Sequence, residues 1–307
     1  MLPNAFIAGA QKSGTTTLCY LINRHPEVVL SNPKEPAFFS RESNLSAVQT
    51  YERCFQPRKD VTPRAIVDGS TAYMVDPLAA TRIRSLLGVD VRFVFCLRDP
   101  VERMISAYWH QAKKGQDLRP LGEVFSFASD SLEEAVIEEE NRLRAAIGDG
   151  FVTASAYVDR FDDPLLNFRY LRNSLYGSDL GRFFENFGRE RVKVIFFEDL
   201  ISDLAAMRTS LAIFLDLDPA AFPNVRDSSR NPTLLARAPA LLRALRRLPG
   251  RRIMRRLPGY GKLHRLLLYR RPPPTVPQLK ERLHLLVTPE VERLQVMLNR
   301  ELRTLWS

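Results

Sequence analysis

The stretch from Ala5 to Leu18, AFIAGAQKSGTTTL, constrains what this chain can fold into more than any other. It reads as a short buried strand, a tight loop carrying Gly9 and Gly14, and a helix that continues through Leu18, Tyr20, Leu21 and Ile22. A strand that feeds a helix through such a loop makes an anion cradle. The first N–H groups of the helix have no intrahelical acceptor, and the helix dipole adds positive potential there. Lys12 supplies a full charge, and Thr15, Thr16 and Thr17 supply hydroxyl donors. The nucleoside-triphosphate pattern GxxxxGK[ST] does not fit, because Lys12 precedes Gly14 instead of following it. Taken alone, the loop also reads as a Gly-Thr helix start with an incidental lysine.

Downstream, His25-Pro26 ends the helical pattern and Val28-Val29-Leu30 reads as a second strand. His25 is read as a structural residue at the helix end, not as a base. In Asn32-Pro33-Lys34-Glu35-Pro36, two prolines hold Lys34 and Glu35 at the C-terminal end of that strand, where open α/β sheets bind ligands. Glu35, placed beside Phe38 and Phe39, is the candidate general base for a hydroxyl or amine. The other reading is a solvated carboxylate paired with Lys34.

Arg64 to Ser70 reads as a third strand, a helix from Asp76 or Pro77 to about Leu87 follows, and Val91 to Leu97 is a fourth strand. Strands alternating with helices predict an α/β, P-loop-like three-layer fold: a central parallel sheet of about five strands flanked by helices, plus a helical C-terminal part. At the exit of the fourth strand, Arg98 and Ser106 of the next helix are placed to grip one phosphate. Alternatively, Arg98-Asp99 is a local ion pair and Ser106 a surface residue. Ser131 to Asp149 reads as a solvated helix, Leu165 to Phe187 as an apolar helical stretch, Val192 to Leu200 as the fifth strand, and Ser202 to Leu215 as a helix.

Together GAQKSGTTTL, KEPAFF and CLRDPVERMISAYWH resemble the motifs of the sulfotransferase superfamily that uses 3′-phosphoadenosine 5′-phosphosulfate (PAPS), in the branch of heparan-sulfate-type and many bacterial enzymes. The likeness extends through Leu175 to Leu180, the strand from Val192 and the tail from Pro289 to Trp306, so nearly the whole chain is one domain by this resemblance. It implies that Gln11, Lys12, Ser13, Gly14, Thr15, Thr16 and Thr17 hold the 5′-phosphosulfate, that Arg98 and Ser106 hold the 3′-phosphate, and that Lys12 contacts the bridging oxygen. Ser228, Arg230 and Asn231 would belong to a loop closing over the nucleotide, Glu35 would be the general base, and a terminal helix would run from about 288 to 304. The product would be 3′,5′-ADP, with no metal. One departure stands out: heparan-sulfate-type members often carry lysine where this chain has Gly69.

Composition bears on partners. Of 45 Lys and Arg residues, twelve lie between Leu235 and Pro273, a segment without Asp or Glu, and they account for the whole net charge of +10. The segment reads as basic amphipathic helices suited to an anionic membrane surface or to steering an anionic donor, and nucleic acid is not the expected partner. The acceptor is expected to be a small molecule or glycan. The three cysteines, Cys19, Cys54 and Cys96, show no CxxC spacing, which predicts free thiols and no metal site. No secretory leader pattern or long apolar run is present, so a soluble cytoplasmic protein is expected. Two other classes compete: a nucleotide-dependent phosphotransferase, and a non-catalytic protein that uses the basic segment to bind a membrane or nucleic acid.

Overall fold

The structure, a computed structural model, describes residues 1–57, 62–223, 235–236, 269–270 and 273–306. Strand β1 (Ala5–Gly9) is buried along its whole length, as a strand covered on both faces must be. Its neighbours are β2 (Val28–Leu30), β3 (Ala65–Asp68), β4 (Arg92–Leu97) and β5 (Val192–Phe196), in the order β2-β3-β1-β4-β5. Every pairing is parallel, with Phe6 beside Asp68, Gly9 beside Phe95 and Leu30 beside Val67. This register brings the C-terminal ends of all five described strands to one edge. The chain reverses its direction of winding beside β1, where such sheets form a ligand crevice.

Connections are made by α1 (Thr15–Ile22), α2 (Val48–Glu52), α3 (Ala79–Leu87), α4 (Pro100–Ala112), α5 (Leu121–Val124), α6 (Leu132–Gly148) and α7 (Tyr176–Phe187). After β5 come α8 (Phe197–Ser202), α9 (Leu204–Phe214) and α10 (Pro277–Leu298). Alternate strand residues divide the core. Phe6, Ala8, Phe93 and Phe95 meet Ile83 of α3 and Leu180 and Phe183 of α7, with Phe6 stacked on Phe93 at 5.1 Å between ring centres. Ala5, Ile7, Val94 and Cys96 meet α1 and α9 on the other face. The expected three-layer α/β architecture is therefore present. No described helix is long and apolar enough to cross a membrane.

Four expected elements differ. The fifth strand ends at Phe196 and not at Leu200, because Phe197–Ser202 forms α8. The stretch from Leu165 does not run as one helix: two 3-10 turns at Leu166–Phe168 and Arg172–Ser174 precede α7. Buried Arg103 of α4 holds them, its Nε donating to Ser174 Oγ at 2.6 Å and its Nη2 to the Tyr170 carbonyl at 2.6 Å. Helix α6, capped by Ser131, is not solvated all round. Its Glu139 is buried and accepts the Leu171 and Arg172 N–H groups at 2.6 and 2.9 Å. The last helix begins at Pro277, not near 288, because Pro277 occupies the first turn while Pro289 lies inside the helix. Of the basic segment, Leu235–Ala236 and Tyr269–Arg270 are described as an antiparallel strand pair, together with Pro273 at its end. The rest of it lies outside the described residues, as do Ser228, Arg230 and Asn231.

Candidate functional site

The loop after β1 is laid over the end of β4. Ala10 N donates to the Cys96 carbonyl at 2.8 Å, and the Cys96 thiol to the Ser13 carbonyl at 2.7 Å. Lys12 and Gly14 take left-handed φ values of 73° and 92°. Gly14 is the N-cap of α1, and a Cβ there would come within 2.8 Å of the Phe197 ring, so conformation and space both demand glycine. Thr17 and Leu18 N–H bond to the Gly14 carbonyl, while Thr15 and Thr16 N–H precede the intrahelical pattern and open toward the loop. Gln11 donates from Nε2 to Asn167 Oδ1 at 3.0 Å.

Lys12 has no ion-pair partner among the described residues. Burial, then Lys113, Lys114, Arg98 and Arg103 around it, push its ammonium down to about 8. A partly desolvated cation surrounded by further cations calls for an anion with more than one charge. Lys113 and Lys114 follow the end of α4, where the helix dipole favours positive charge. A hydrogen-bonded chain joins Lys114 to the loop: Lys114 Nζ donates to Tyr157 Oη, Tyr157 Oη to Gln111 Oε1, Gln111 Nε2 to the Asn167 carbonyl, and Gln11 completes it.

Arg98 leaves β4 with its guanidinium 4.8 Å from the centre of the Phe197 ring. Its carbonyl accepts the hydroxyl of buried Tyr176 at 2.9 Å, so Tyr176 supports the strand exit from the core and does not line a cleft. The ion pair of Arg98 is with Glu102, at 3.1 Å, and not with Asp99, which instead caps α4 by accepting Glu102 N–H at 2.7 Å. Ser106 follows one turn after Glu102 in α4 and is half-buried. Lys12 and Arg98 thus lie at adjacent strand ends, and Ser106 lies about two turns into the helix that follows the second of them. The ring of Phe197, at the start of α8, touches both the Gly14 and Arg98 sides.

Glu35 lies in the loop after β2. Lys34 Nζ donates to its Oε1 at 3.0 Å and to the Gly69 carbonyl at 3.2 Å, and Arg160 Nη2 donates to the Glu35 carbonyl at 3.0 Å. Phe38 and Phe39 are committed to an aromatic cluster in which Phe38 stacks on Tyr51 and Phe39 meets Tyr73 edge-on. A Cβ on Gly69 would stand 2.9 Å from the Lys34 carbonyl and 3.0 Å from Cys19 Sγ, so no side chain fits there. The departure at Gly69 therefore has a packing cause: the Lys34 side chain already covers that strand end. Cys19 belongs to α1, which brings the Glu35 loop against the same helix that opens the anion cradle.

Two other proton acceptors come into view here. Asp68 is fully buried and takes hydrogen bonds from Tyr51 Oη at 2.6 Å, Tyr73 Oη at 2.8 Å and Ser70 N at 2.9 Å, which makes it a core anchor. His110 is pushed down to about 2 by burial and by Lys114, Lys12 and Lys113, which keeps its ring neutral. His25 is buried, with Nδ1 accepting from Glu27 N and Nε2 beside the Asp218 carbonyl, a structural role as expected. Among the described residues no group of His, Cys, Asp or Glu converges in a way that would hold a metal ion.

Phe197, Asn167, Lys113 and Lys114 escaped the sequence reading. The sequence reading places Phe197 inside the fifth strand, whereas it follows directly on that strand at the ligand edge. For Asn167 there was no signal, because only the irregular turns bring it beside Gln11.

A family model described as a sulfotransferase domain matches residues 2–231. The chain is 23% identical over 268 residues to the membrane-associated sulfotransferase kil1 of Dictyostelium discoideum, covering 71% of this chain and 56% of that protein. It is 31% identical over 122 residues to human heparan sulfate glucosamine 3-O-sulfotransferase 3B1, covering 38% of this chain and 29% of that protein. The chain thus spans little more than half of the first relative and under a third of the second. The crystal structure of a sulfotransferase from Alicyclobacillus acidocaldarius superposes with a TM-score of 0.64 at 24% identity, over 99% of this chain and 98% of that one, and has the same fold.

Proposed function

The chain belongs to the sulfotransferase domain family, and on that premise we propose that it transfers a sulfuryl group from PAPS to a hydroxyl, with an amine as the lesser alternative, of a glycan or small molecule. The observation that carries this reading is Lys12: an ammonium without an ion-pair partner among the described residues, pushed down to about 8 by burial and neighbouring cations, at the N-terminus of α1. A donor with phosphate at both ends of its ribose fits two cationic stations, Lys12 with the Ser13 to Thr17 loop, and Arg98 with Ser106. The bridging Phe197 ring joins them.

When bound, the donor supplies a sulfuryl group whose bond to the phosphate oxygen breaks as a bond to the acceptor oxygen forms. Glu35 takes the acceptor proton, with Lys34 fixing the carboxylate. Lys12 and the α1 N–H groups stabilise the charge that gathers on the leaving phosphate, so their effect is greatest in the transition state. These groups supply that stabilisation without a metal. The heparan sulfate relative motivates testing glycans first. The segment 235–273 is assigned to an anionic membrane surface or to donor steering, consistent with a cytoplasmic enzyme that touches membranes.

Calorimetry tests the donor. Binding of 3′,5′-ADP without magnesium supports it, whereas binding of magnesium-ATP with no response to 3′,5′-ADP makes the chain a phosphotransferase. Labelled donor incubated with a cell extract and the purified chain then identifies the acceptor, and absence of any labelled product rejects sulfotransfer.

A further inference from the structure

Helix α10 lies outside the part of the chain matched by the family model, yet it reaches the donor end of the site. Its apolar residues Leu283, Leu286 and Val287 pack on Met104, Ile105 and Tyr108 of α4. Beside that seam, two polar residues one turn apart meet the first turn of α4. Lys280 Nζ pairs with Glu102 Oε1, and His284 Nδ1 stands 3.7 Å from Asp99 Oδ2. Glu102 therefore sits between two cations, since its other oxygen, Oε2, pairs with Arg98 at 3.1 Å.

Glu102 has an obvious local reason to be there. It is an acidic residue in the first turn of a helix, where the dipole favours negative charge. It also stands one turn from Ser106 and in direct contact with Arg98, the two residues assigned to the 3′-phosphate. A bare carboxylate at that spot repels the phosphate that Arg98 and Ser106 are there to hold. Lys280 removes the conflict. Its ammonium cancels the carboxylate charge from the side of α10, leaving Arg98 with net positive charge to offer.

We propose that Lys280 is a positioning residue of the donor's 3′-phosphate subsite, acting through Glu102, so that the C-terminal helix is part of the donor site. This rests on the PAPS reading above. The ligand's 3′-phosphate is the handle for the test. Calorimetry on the full chain compares 3′,5′-ADP with 5′-AMP, which lacks that group.

Lys280→Ala is expected to weaken 3′,5′-ADP about tenfold, the range of one charge-assisted contact, and to leave 5′-AMP unchanged. Lys280→Arg is expected to restore the difference. Glu102→Gln combined with Lys280→Ala is expected to recover most of it, because no carboxylate is then left to cancel. Equal weakening of both nucleotides, or weakening of neither, overturns the proposal and reduces the Lys280 contact to helix docking. Failure of the double variant to recover overturns the charge-cancelling step. A wild-type chain that binds both nucleotides equally overturns instead the PAPS reading beneath it.

Discussion

Along the ligand edge of the sheet, the loops after β1 and β4 are tied directly to one another, and the loops after β2 and β3 hang more on charged side chains, two of them arginines from other elements. Ala10 N donates to the Cys96 carbonyl and the Cys96 thiol to the Ser13 carbonyl, which ties the first pair together, and the Tyr176 hydroxyl reaches the Arg98 carbonyl from α7. The second pair depends on Lys34 reaching the Gly69 carbonyl, on Arg160 reaching the Glu35 carbonyl, and on Arg82 bridging the Phe39 carbonyl and Asp162. The two halves can therefore be perturbed separately, and Gly69 lies in the second.

The contrast is open to attack, most severely at Lys12. Lys12→Ala is expected to lower turnover by about 10²–10³-fold, the usual loss of a group that stabilises developing charge. Wild-type turnover would remove Lys12 from the chemistry and leave the β1–β4 half with binding alone. Next in size, Glu35→Gln is expected to slow turnover about 100-fold while 3′,5′-ADP affinity holds. Loss of nucleotide affinity together with rate would mean that the two halves are not separable.

A pH profile probes the same lysine more gently. Lys12 is charged below about 8 and loses its proton as the pH rises. The free enzyme's kcat/KM for donor should therefore be level below that point and fall about tenfold per unit above it. Lys12→Arg keeps its charge, so the alkaline fall should disappear; a fall that persists belongs to another group. Smallest is Gly69→Ala, where a methyl group meets the Lys34 carbonyl and Cys19. A stability loss of about 1–3 kcal/mol, read as a lowered Tm, is expected, and an unchanged Tm would show that the β2–β3 half yields easily.

The same contrast governs what was legible in the sequence. The parallel strands and the site loops follow from local pattern: a buried pentapeptide before Gly14, prolines around Lys34 and Glu35, and a β-rich run before Arg98. These cues act over a few residues, so the positions of Lys12, Glu35 and Arg98 after strand ends, and of Ser106 in the next helix, could be read directly. The turns around Asn167 and Ser174 could not, since buried Arg103 and Glu139 impose them from other helices. Resemblance alone places the last helix from about 288, but packing of Leu283, Leu286 and Val287 extends α10 back to Pro277 and through Pro289. Lys280 stands far from α4 in sequence, and nothing in the chain of letters points it at Glu102.

The ring of Phe197 touches the glycine turn on one side and the guanidinium of Arg98 on the other, and so serves as a ruler. The spacing of the two strand exits is thus set from one residue, and a smaller side chain at 197 would loosen the glycine turn and the guanidinium together.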